Sequence, residues 1–303
     1  MAQPHSLLQA VRERVLLLDG AMGTQLQAVG LRPEQCGEAW NLQERDKVLG
    51  IHRRYVEAGA DALITNSFGA SSYGLAHRGF ADQAYAINRA SAEIAREAIG
   101  PDGWVLGDVG PFGHFLQPLG EMTAERLLTI FTEQIRGLLD GGVDAILLET
   151  HTALEEAEIA VRAARDQGAP CIIVSFAYNK GGGSYRSIMG AAPADVVARL
   201  DPLGVEIYGA NCGTHLTVED HAEIVKAYRA ATDKPIIAQP NAGQPQMEGG
   251  CLTYLETPEK MAERIGRLVE AGARLVGGCC GTTPDHIRAF RKVLDQYSSV
   301  RVQ

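Results

Sequence analysis

The sequence predicts an α/β chain in a single domain, residues 1–303, folded as a (β/α)8 barrel of the TIM type. Three observations carry that expectation. Eight short apolar runs recur along the chain, at 15–19, 61–65, 104–108, 144–149, 171–176, 206–211, 235–239 and 274–278. Each is nearly continuous in apolar residues, as parallel strands covered on both faces are. Between the runs lie longer stretches with apolar residues at helical spacing. Three of these stretches end in a similar phrase: Glu57-Ala58-Gly59-Ala60-Asp61, Gly141-Gly142-Val143-Asp144 and Glu270-Ala271-Gly272-Ala273. A Gly just past a helix end takes the left-handed conformation that closes it, so the phrase marks repeated helix-to-strand units. Eight alternations in about 250–300 residues suit a closed barrel; a doubly wound open sheet is the alternative.

Taken in order, the first run leads into Asp19-Gly20-Ala21 and the second into Thr65-Asn66-Ser67-Phe68. The third continues through Asp108 to Gly110-Pro111, and the helix expected over 121–140 puts Leu127, Leu128, Phe131, Ile135 and Leu138 on one stripe. The fourth run ends in Glu149-Thr150, and the fifth is followed by Gly181-Gly182-Gly183, read as a mobile loop. The sixth ends in Asn211-Cys212-Gly213, the seventh in Gln239-Pro240-Asn241-Ala242-Gly243, and the eighth in Gly277-Gly278-Cys279-Cys280-Gly281. Thr283 and Pro284 then open the last helix as N-cap and first residue. In such a barrel the active site lies at the C-terminal strand ends. Polar residues and glycines concentrate there, and the opposite rim shows nothing comparable.

Hydrophobic residues make up 46% of the chain, enough for a substantial core, and the net charge is -9. That charge argues against a nucleic-acid surface, which needs clustered Lys and Arg, and against an anionic membrane. No apolar run approaches the roughly 20 residues that span a bilayer, and the N-terminus lacks the basic and apolar regions of a signal peptide. A cytoplasmic protein is expected.

Six cysteines are present: Cys36, Cys171, Cys212, Cys251, Cys279 and Cys280. An isolated cysteine most often serves as a small buried hydrophobe, which is the reading of Cys36, Cys171 and Cys251. Cys212, Cys279 and Cys280 differ, because the sixth and eighth strands of a closed barrel face one axial space. Zinc prefers thiolates in tetrahedral geometry, and three protein ligands with the fourth place open mark a catalytic site. A strained disulfide between adjacent cysteines is disfavoured in a reducing compartment.

These motifs resemble the zinc-dependent homocysteine S-methyltransferases. The resemblance rests on Asp19-Gly20-Ala21-Met22-Gly23-Thr24, on Asn211-Cys212-Gly213 and on Gly277-Gly278-Cys279-Cys280-Gly281-Thr282-Thr283-Pro284, and runs from about Val15 to about Phe290. Ile51-His52-Arg53-Arg54-Tyr55, Thr65-Asn66-Ser67-Phe68-Gly69-Ala70 and Pro240-Asn241-Ala242-Gly243 look most like the homocysteine-binding module of cobalamin-dependent methionine synthases; Trp40 departs toward other branches. The resemblance implies a methyl transfer to the thiol of L-homocysteine, giving methionine, with a Zn2+ ion held by Cys212, Cys279 and Cys280. It leaves three donor classes: methylcobalamin on a corrinoid partner protein, S-methylmethionine, or glycine betaine. No Asp-x-His-x-x-Gly motif for anchoring cobalamin is present.

Glu149 and Asp19 are placed to meet the substrate ammonium, a role the resemblance supports. Backbone N–H groups after Asp19 and around Thr65 and Ser67 are expected to meet its carboxylate. The resemblance gives Asn241 the fourth metal position when substrate is absent. Asp108 is read as shaping the third loop, His114 and His151 as loop or donor-pocket residues, and His52 as a packed surface histidine. Phe68, Tyr73 and Phe112 are expected to line the donor pocket. Three rival readings remain. A Schiff-base lyase needs a Lys at a strand end, and Lys180 lies beyond the fifth strand in the loop. A non-catalytic zinc or corrinoid-partner binding module would not need the carboxylates. A third keeps the chemistry and changes the thiol acceptor.

Overall fold

The computed structural model describes residues 6–248 and 251–297. The barrel strands are β1 (Leu16–Leu17), β2 (Ala62–Ile64), β3 (Trp104–Val109), β4 (Ala145–His151), β5 (Ile172–Phe176), β6 (Ile207–Asn211), β7 (Ile236–Gln239) and β8 (Leu275–Val276). They form one parallel sheet in the order β1-β8-β7-β6-β5-β4-β3-β2. The bridge from Leu18 to Ala62, with Asp61 N donating to Leu17 O at 2.7 Å, joins β1 to β2 and completes the ring. The predicted (β/α)8 barrel is the fold, and all eight predicted runs hold a strand.

The helices are α1 (Leu7–Glu13), α2 (Gly23–Ala28), α3 (Trp40–Gln43), α4 (Arg45–Glu57), α5 (Ser72–Ala76), α6 (Ala84–Ile99), α7 (Ala124–Asp140), α8 (Leu154–Asp166), α9 (Pro193–Leu200), α10 (Val218–Ala231), α11 (Pro258–Glu270) and α12 (Pro284–Leu294). Thr123 caps α7 by accepting from Arg126 N at 3.2 Å, and Leu127, Phe131, Ile135 and Leu138 are buried as their spacing predicts. Gly59, Gly142 and Gly272 take φ of 101°, 90° and 112°, the left-handed closures the recurring phrase implies.

Strand alternation divides the core in two. Leu16, Leu18, Leu106, Leu147, Ile173, Ile207, Ile237 and Leu275 point into the barrel, where Leu7, Ala10 and Val11 of α1 seal its floor. Leu17, Val105, Ile146, Val174, Tyr208 and Ile236 point outward against the helices.

The floor also carries a repeated clamp. Asp61 accepts from Leu17 N at 2.8 Å, Asp144 from Val105 N at 2.7 Å, and Glu206 from Ile172 N at 2.7 Å. Each carboxylate sits just before an even-numbered strand and grips the strand before it. Each also pairs with arginine: Asp61 with Arg14 and Arg291, Asp144 with Arg96, Glu206 with Arg165. The fourth position of the series, before β8, holds Arg274 instead.

Two readings need correction. The 181–183 glycines form the turn of a hairpin, Asn179–Gly181 with Ser184–Arg186, because Gly182 and Gly183 supply the positive φ that a tight turn needs. His52 is not on the surface: it is fully buried on α4 and neither ring nitrogen has a partner. Burial therefore pushes its pKa down to about 4 and keeps it neutral. A second hairpin, Pro245–Glu248 with Cys251–Tyr254, stands between β7 and α11. No helix among the described residues is long and apolar enough to cross a membrane.

Candidate active site

In β3 to β7 the inward row continues one pleat further with a polar residue. Leu106 is followed by Asp108, Leu147 by Glu149, Ile173 by Ser175, Gly209 by Asn211, and Ile237 by Gln239. Strand periodicity thus gives the barrel much of its polar mouth.

Three thiols converge there. The sulfurs of Cys212, Cys279 and Cys280 all lie within 4.8 Å of one another. Cys212 sits at φ 55°, a left-handed backbone that a non-glycine residue adopts at a cost of about 1–2 kcal/mol. His221 of α10 helps hold it, with Nε2 3.0 Å from Cys212 O. Asn211, the residue before, accepts from Thr150 N at 3.1 Å and donates to Thr150 Oγ1 at 2.7 Å. It thereby fixes Thr150, itself at φ 60°, and with it the neighbouring Glu149. The eighth-strand glycines have steric reasons. A Cβ on Gly278 would stand 2.3 Å from Thr282 Oγ1, and one on Gly281 would stand 2.1 Å from the Tyr254 ring.

The thiols act on one another. The nearness of Cys279 and Cys280 holds Cys212 strongly toward thiolate, and the nearness of Cys212 pushes the other two thiols up, Cys280 to about 11. Three thiolates so close repel one another unless a cation neutralises them. The sulfur donor set and its packing fit a soft or borderline metal ion. Asn241 fits the same site: it is 8% exposed, its Nδ2 lies 3.6 Å from Cys212 Sγ, and its Oδ1 is buried without a partner.

Beside the thiols is an acidic pocket. Asp19 accepts from Ile64 N at 3.0 Å through one oxygen, and its other oxygen has no partner. Burial first, then Glu149, raises its pKa well above the usual carboxylate range. Asp108 is raised by burial, Glu149, Asp19 and Glu38, and also has a buried oxygen without a partner. Glu149 is pushed up to about 7 by burial and by Cys212, while Gln239 Nε2 faces it at 3.4 Å. Three carboxylates that disfavour one another's ionisation form a site for a small cation. Asp108 joins this pocket beyond the loop-shaping role that the sequence suggests; its backbone does shape the loop, through Thr65 Oγ1 and Ser67 Oγ at 2.9 and 2.7 Å.

Thr65 and Ser67 are buried at the mouth with their hydroxyls 2.6 Å apart. Their amides donate to Leu106 O and Thr65 O, respectively. His151 lies buried below the rim, 3.3 Å from Val109 O, and His114 is exposed against Tyr73, 5.5 Å between ring centroids; neither joins the thiols. Tyr73 also meets Phe112 at 5.9 Å, and Phe68 is 41% exposed. Cys171 lies in the barrel interior as expected. Cys36 is only half-buried and donates to Glu38 at 3.4 Å, and the side chain of Cys251 lies outside the described residues. Gln239 stands on the rim that the strand ends predict, whereas no signal in the sequence brings His221 or Tyr254 into this neighbourhood.

Residues 16–294 match the homocysteine S-methyltransferase family model. The methionine synthases of Mycobacterium leprae and Mycobacterium tuberculosis are each 37% identical over 93% of this chain. The chain spans about a quarter of their length, 24% and 25%. The metallated Escherichia coli homocysteine methyltransferase MmuM superimposes with a TM-score of 0.74 at 27% identity, over 92% of this chain and 96% of that one. The carboxyl transferase domain of Rhizobium etli pyruvate carboxylase shares the fold alone, at 15% identity and a TM-score of 0.55.

Proposed function

The chain belongs to the homocysteine S-methyltransferase family, and we propose that it transfers a methyl group to the sulfur of L-homocysteine at a zinc ion held by Cys212, Cys279 and Cys280. The observation that carries this reading is the adjacency of three convergent thiols and three unneutralised carboxylates. One site takes a thiol, the other an ammonium, and homocysteine carries both on one short chain.

When bound, zinc supplies the charge that ionises a thiol at neutral pH and leaves it nucleophilic in an electron-rich thiolate sphere. The protein does the rest. Glu149, with Asp19 and Asp108, holds a proton in the empty pocket and exchanges it for the substrate ammonium. The Thr65 and Ser67 amides, expected from the sequence to meet the substrate carboxylate, are already bonded to Leu106 O and Thr65 O, which leaves that role to the turn after Asp19. Asn211 keeps Glu149 and Cys212 in register, so both ends of the substrate meet fixed partners. Asn241, whose buried Oδ1 has no partner beside Cys212, would help to hold the ion while substrate is absent. The sulfur–methyl bond then forms as the donor–methyl bond breaks.

For the donor, the surface favours a methyl-corrinoid carried by a protein partner. The large apolar side chains exposed among the described residues all lie on connections leaving C-terminal strand ends: Leu42 after β1, Phe68 after β2, Phe115 and Leu119 after β3, Ile188 and Met189 after β5, and Leu255 after β7. Connections that leave the C-terminal strand ends belong to the mouth end of the barrel, and apolar groups exposed on them suit a partner that docks over the site. Relatives four times longer carry chain enough to supply such a partner. The test is methionine formation from L-homocysteine by the zinc-loaded protein, with methylcobalamin, S-methylmethionine and glycine betaine compared. Turnover with methylcobalamin alone supports the reading; turnover with an onium donor alone removes the corrinoid part; failure of homocysteine to bind removes the acceptor.

A further inference from the structure

Cys279 and Cys280 are adjacent on the turn after β8, so one piece of backbone fixes both. Cys212 comes alone from the end of β6, and the spacing of the three sulfurs depends on how its backbone is held. That backbone is strained, at φ 55°. A non-glycine residue stays in the left-handed region only where its surroundings enforce it. Part of the enforcement comes from the connection between β5 and α9. Asn179 forms a β-bridge with Thr214, and a Cβ on Gly213 would stand 2.7 Å from Tyr178 O. The rest comes from His221 of α10, which is fully buried. Its Nε2 lies 3.0 Å from Cys212 O, and its Nδ1 is buried without a partner. A carbonyl oxygen only accepts, so Nε2 carries the hydrogen and donates it.

His221 is placed in turn by the residue before it. Asp220 is buried and accepts through both carboxylate oxygens. Its Oδ2 accepts from Thr217 N and Thr217 Oγ1, each at 2.9 Å, and Asp220 N donates to Thr217 Oγ1 at 3.2 Å. These bonds close the capping box that starts α10. Its Oδ1 accepts from Lys180 Nζ at 2.7 Å and from Tyr185 OH at 2.8 Å. Lys180 and Tyr185 face each other across the two strands of the 179–186 hairpin. A single carboxylate therefore joins both strands of the hairpin to the first turn of α10, and the next residue on that turn grips Cys212.

We propose that Asp220 is a positioning residue for Cys212: anchored by the hairpin, it sets the first turn of α10, and His221 on that turn sets the Cys212 backbone. The hairpin is thus part of the support of the thiol site rather than a surface ornament. The consequence for zinc affinity rests on the metal reading above; the relay from hairpin to Cys212 is a property of the metal-free chain as well.

Tyr185→Phe tests the relay at its far end, removing one hydroxyl from Asp220 and keeping the ring. Amide exchange of the metal-free protein is followed by mass spectrometry, and zinc affinity by competition with a chelator. The variant is expected to exchange about three- to tenfold faster over 211–221, a span that includes the Cys212 amide bonded to Gln239 O. Its zinc affinity should fall by a similar factor, less than the roughly 10- to 100-fold typical of a residue that touches a ligand directly. His221→Leu should reach that larger loss, and His221→Gln, which keeps an N–H donor, should recover part of it. Glu219→Gln is the control, since Glu219 shares the first turn of α10 but pairs with Arg264 and Arg267 of α11; it should leave both readouts at parent values. If Tyr185→Phe speeds exchange only within 179–186, with 211–221 and zinc affinity unchanged, the relay does not exist. Equal effects from Glu219→Gln would show a general loosening of α10 and overturn the proposal as well. A parent protein that binds no zinc removes the metal reading, and the exchange comparison still decides the relay.

Discussion

Replacing Glu149 with Gln preserves the shape of the ammonium pocket and removes one of its three carboxylates. Losing one partner of a buried charge pair costs about 2–5 kcal/mol. Here the lower half of that range applies, because Asp19 and Asp108 remain and Glu149 no longer opposes their ionisation. About 2–3 kcal/mol corresponds to a roughly 30- to 150-fold weaker Kd for L-homocysteine. The comparison that isolates the ammonium uses γ-mercaptobutyrate, which is homocysteine without its amine. Titration calorimetry on zinc-loaded protein, parent and Glu149→Gln with both ligands, closes a cycle. The parent should prefer homocysteine strongly, the variant should prefer it much less, and zinc content should be equal. Equal weakening toward both ligands, or loss of zinc in the variant, would refute the ammonium role and make Glu149 part of the metal site instead.

Other outcomes follow from the same geometry. Cys212→Ser, Cys279→Ser and Cys280→Ser should each weaken zinc binding by more than ~100-fold, beyond the loss seen when only a surrounding partner is removed; competition with a chelator measures it, and full zinc retention in any of them would exclude that thiol as a ligand. Glu156 is buried, accepts from Phe112 N at 2.7 Å, and is pushed up to about 7. A carboxyl raised in the folded state binds its proton more tightly there than in the unfolded chain. Its contribution to stability is therefore present at low pH and is lost as pH rises from about 4.5 through 7. Glu156→Gln should flatten that part of the pH profile of thermal unfolding, and an unchanged profile would count against the assignment. Asp61→Asn keeps one acceptor for Leu17 N and loses the charge that holds Arg14 and Arg291. A loss of about 2 kcal/mol is expected, a fall of about 3 °C in Tm for a chain this long, with metal content unchanged.

The barrel was readable because its signals are local. Apolar runs, helix caps and closing glycines act within a few residues, and Gly59, Gly142 and Gly272 take the conformation their phrase requires. The thiols were readable because closure brings the ends of β6 and β8 together. Tyr254 was not, since its partner Gly281 lies on another element and only the fold of the 245–254 hairpin unites them. His52 looked like a surface residue because its neighbours Arg53 and Arg54 are charged, yet it shares a helix face with Val48, Leu49 and Tyr55 and is buried with them. Asp108 had two roles, one through its backbone and one through its carboxylate, and sequence position distinguishes only the first.

The floor clamps have a consequence for how the barrel assembles. They close loops of 44, 39 and 34 residues and bind the strands as the couples β1–β2, β3–β4 and β5–β6. Shorter loops are cheaper to close, so these couples can form early and independently. With Arg274 at the fourth place, β7 and β8 lack this tie. The three convergent thiols lie on both sides of this pair, Cys212 after β6 and Cys279 and Cys280 after β8. A metal ion held by them, as proposed, would act as the missing staple. Amide exchange in the metal-free protein should be fastest along β7 and β8, and loading the metal should slow it there first.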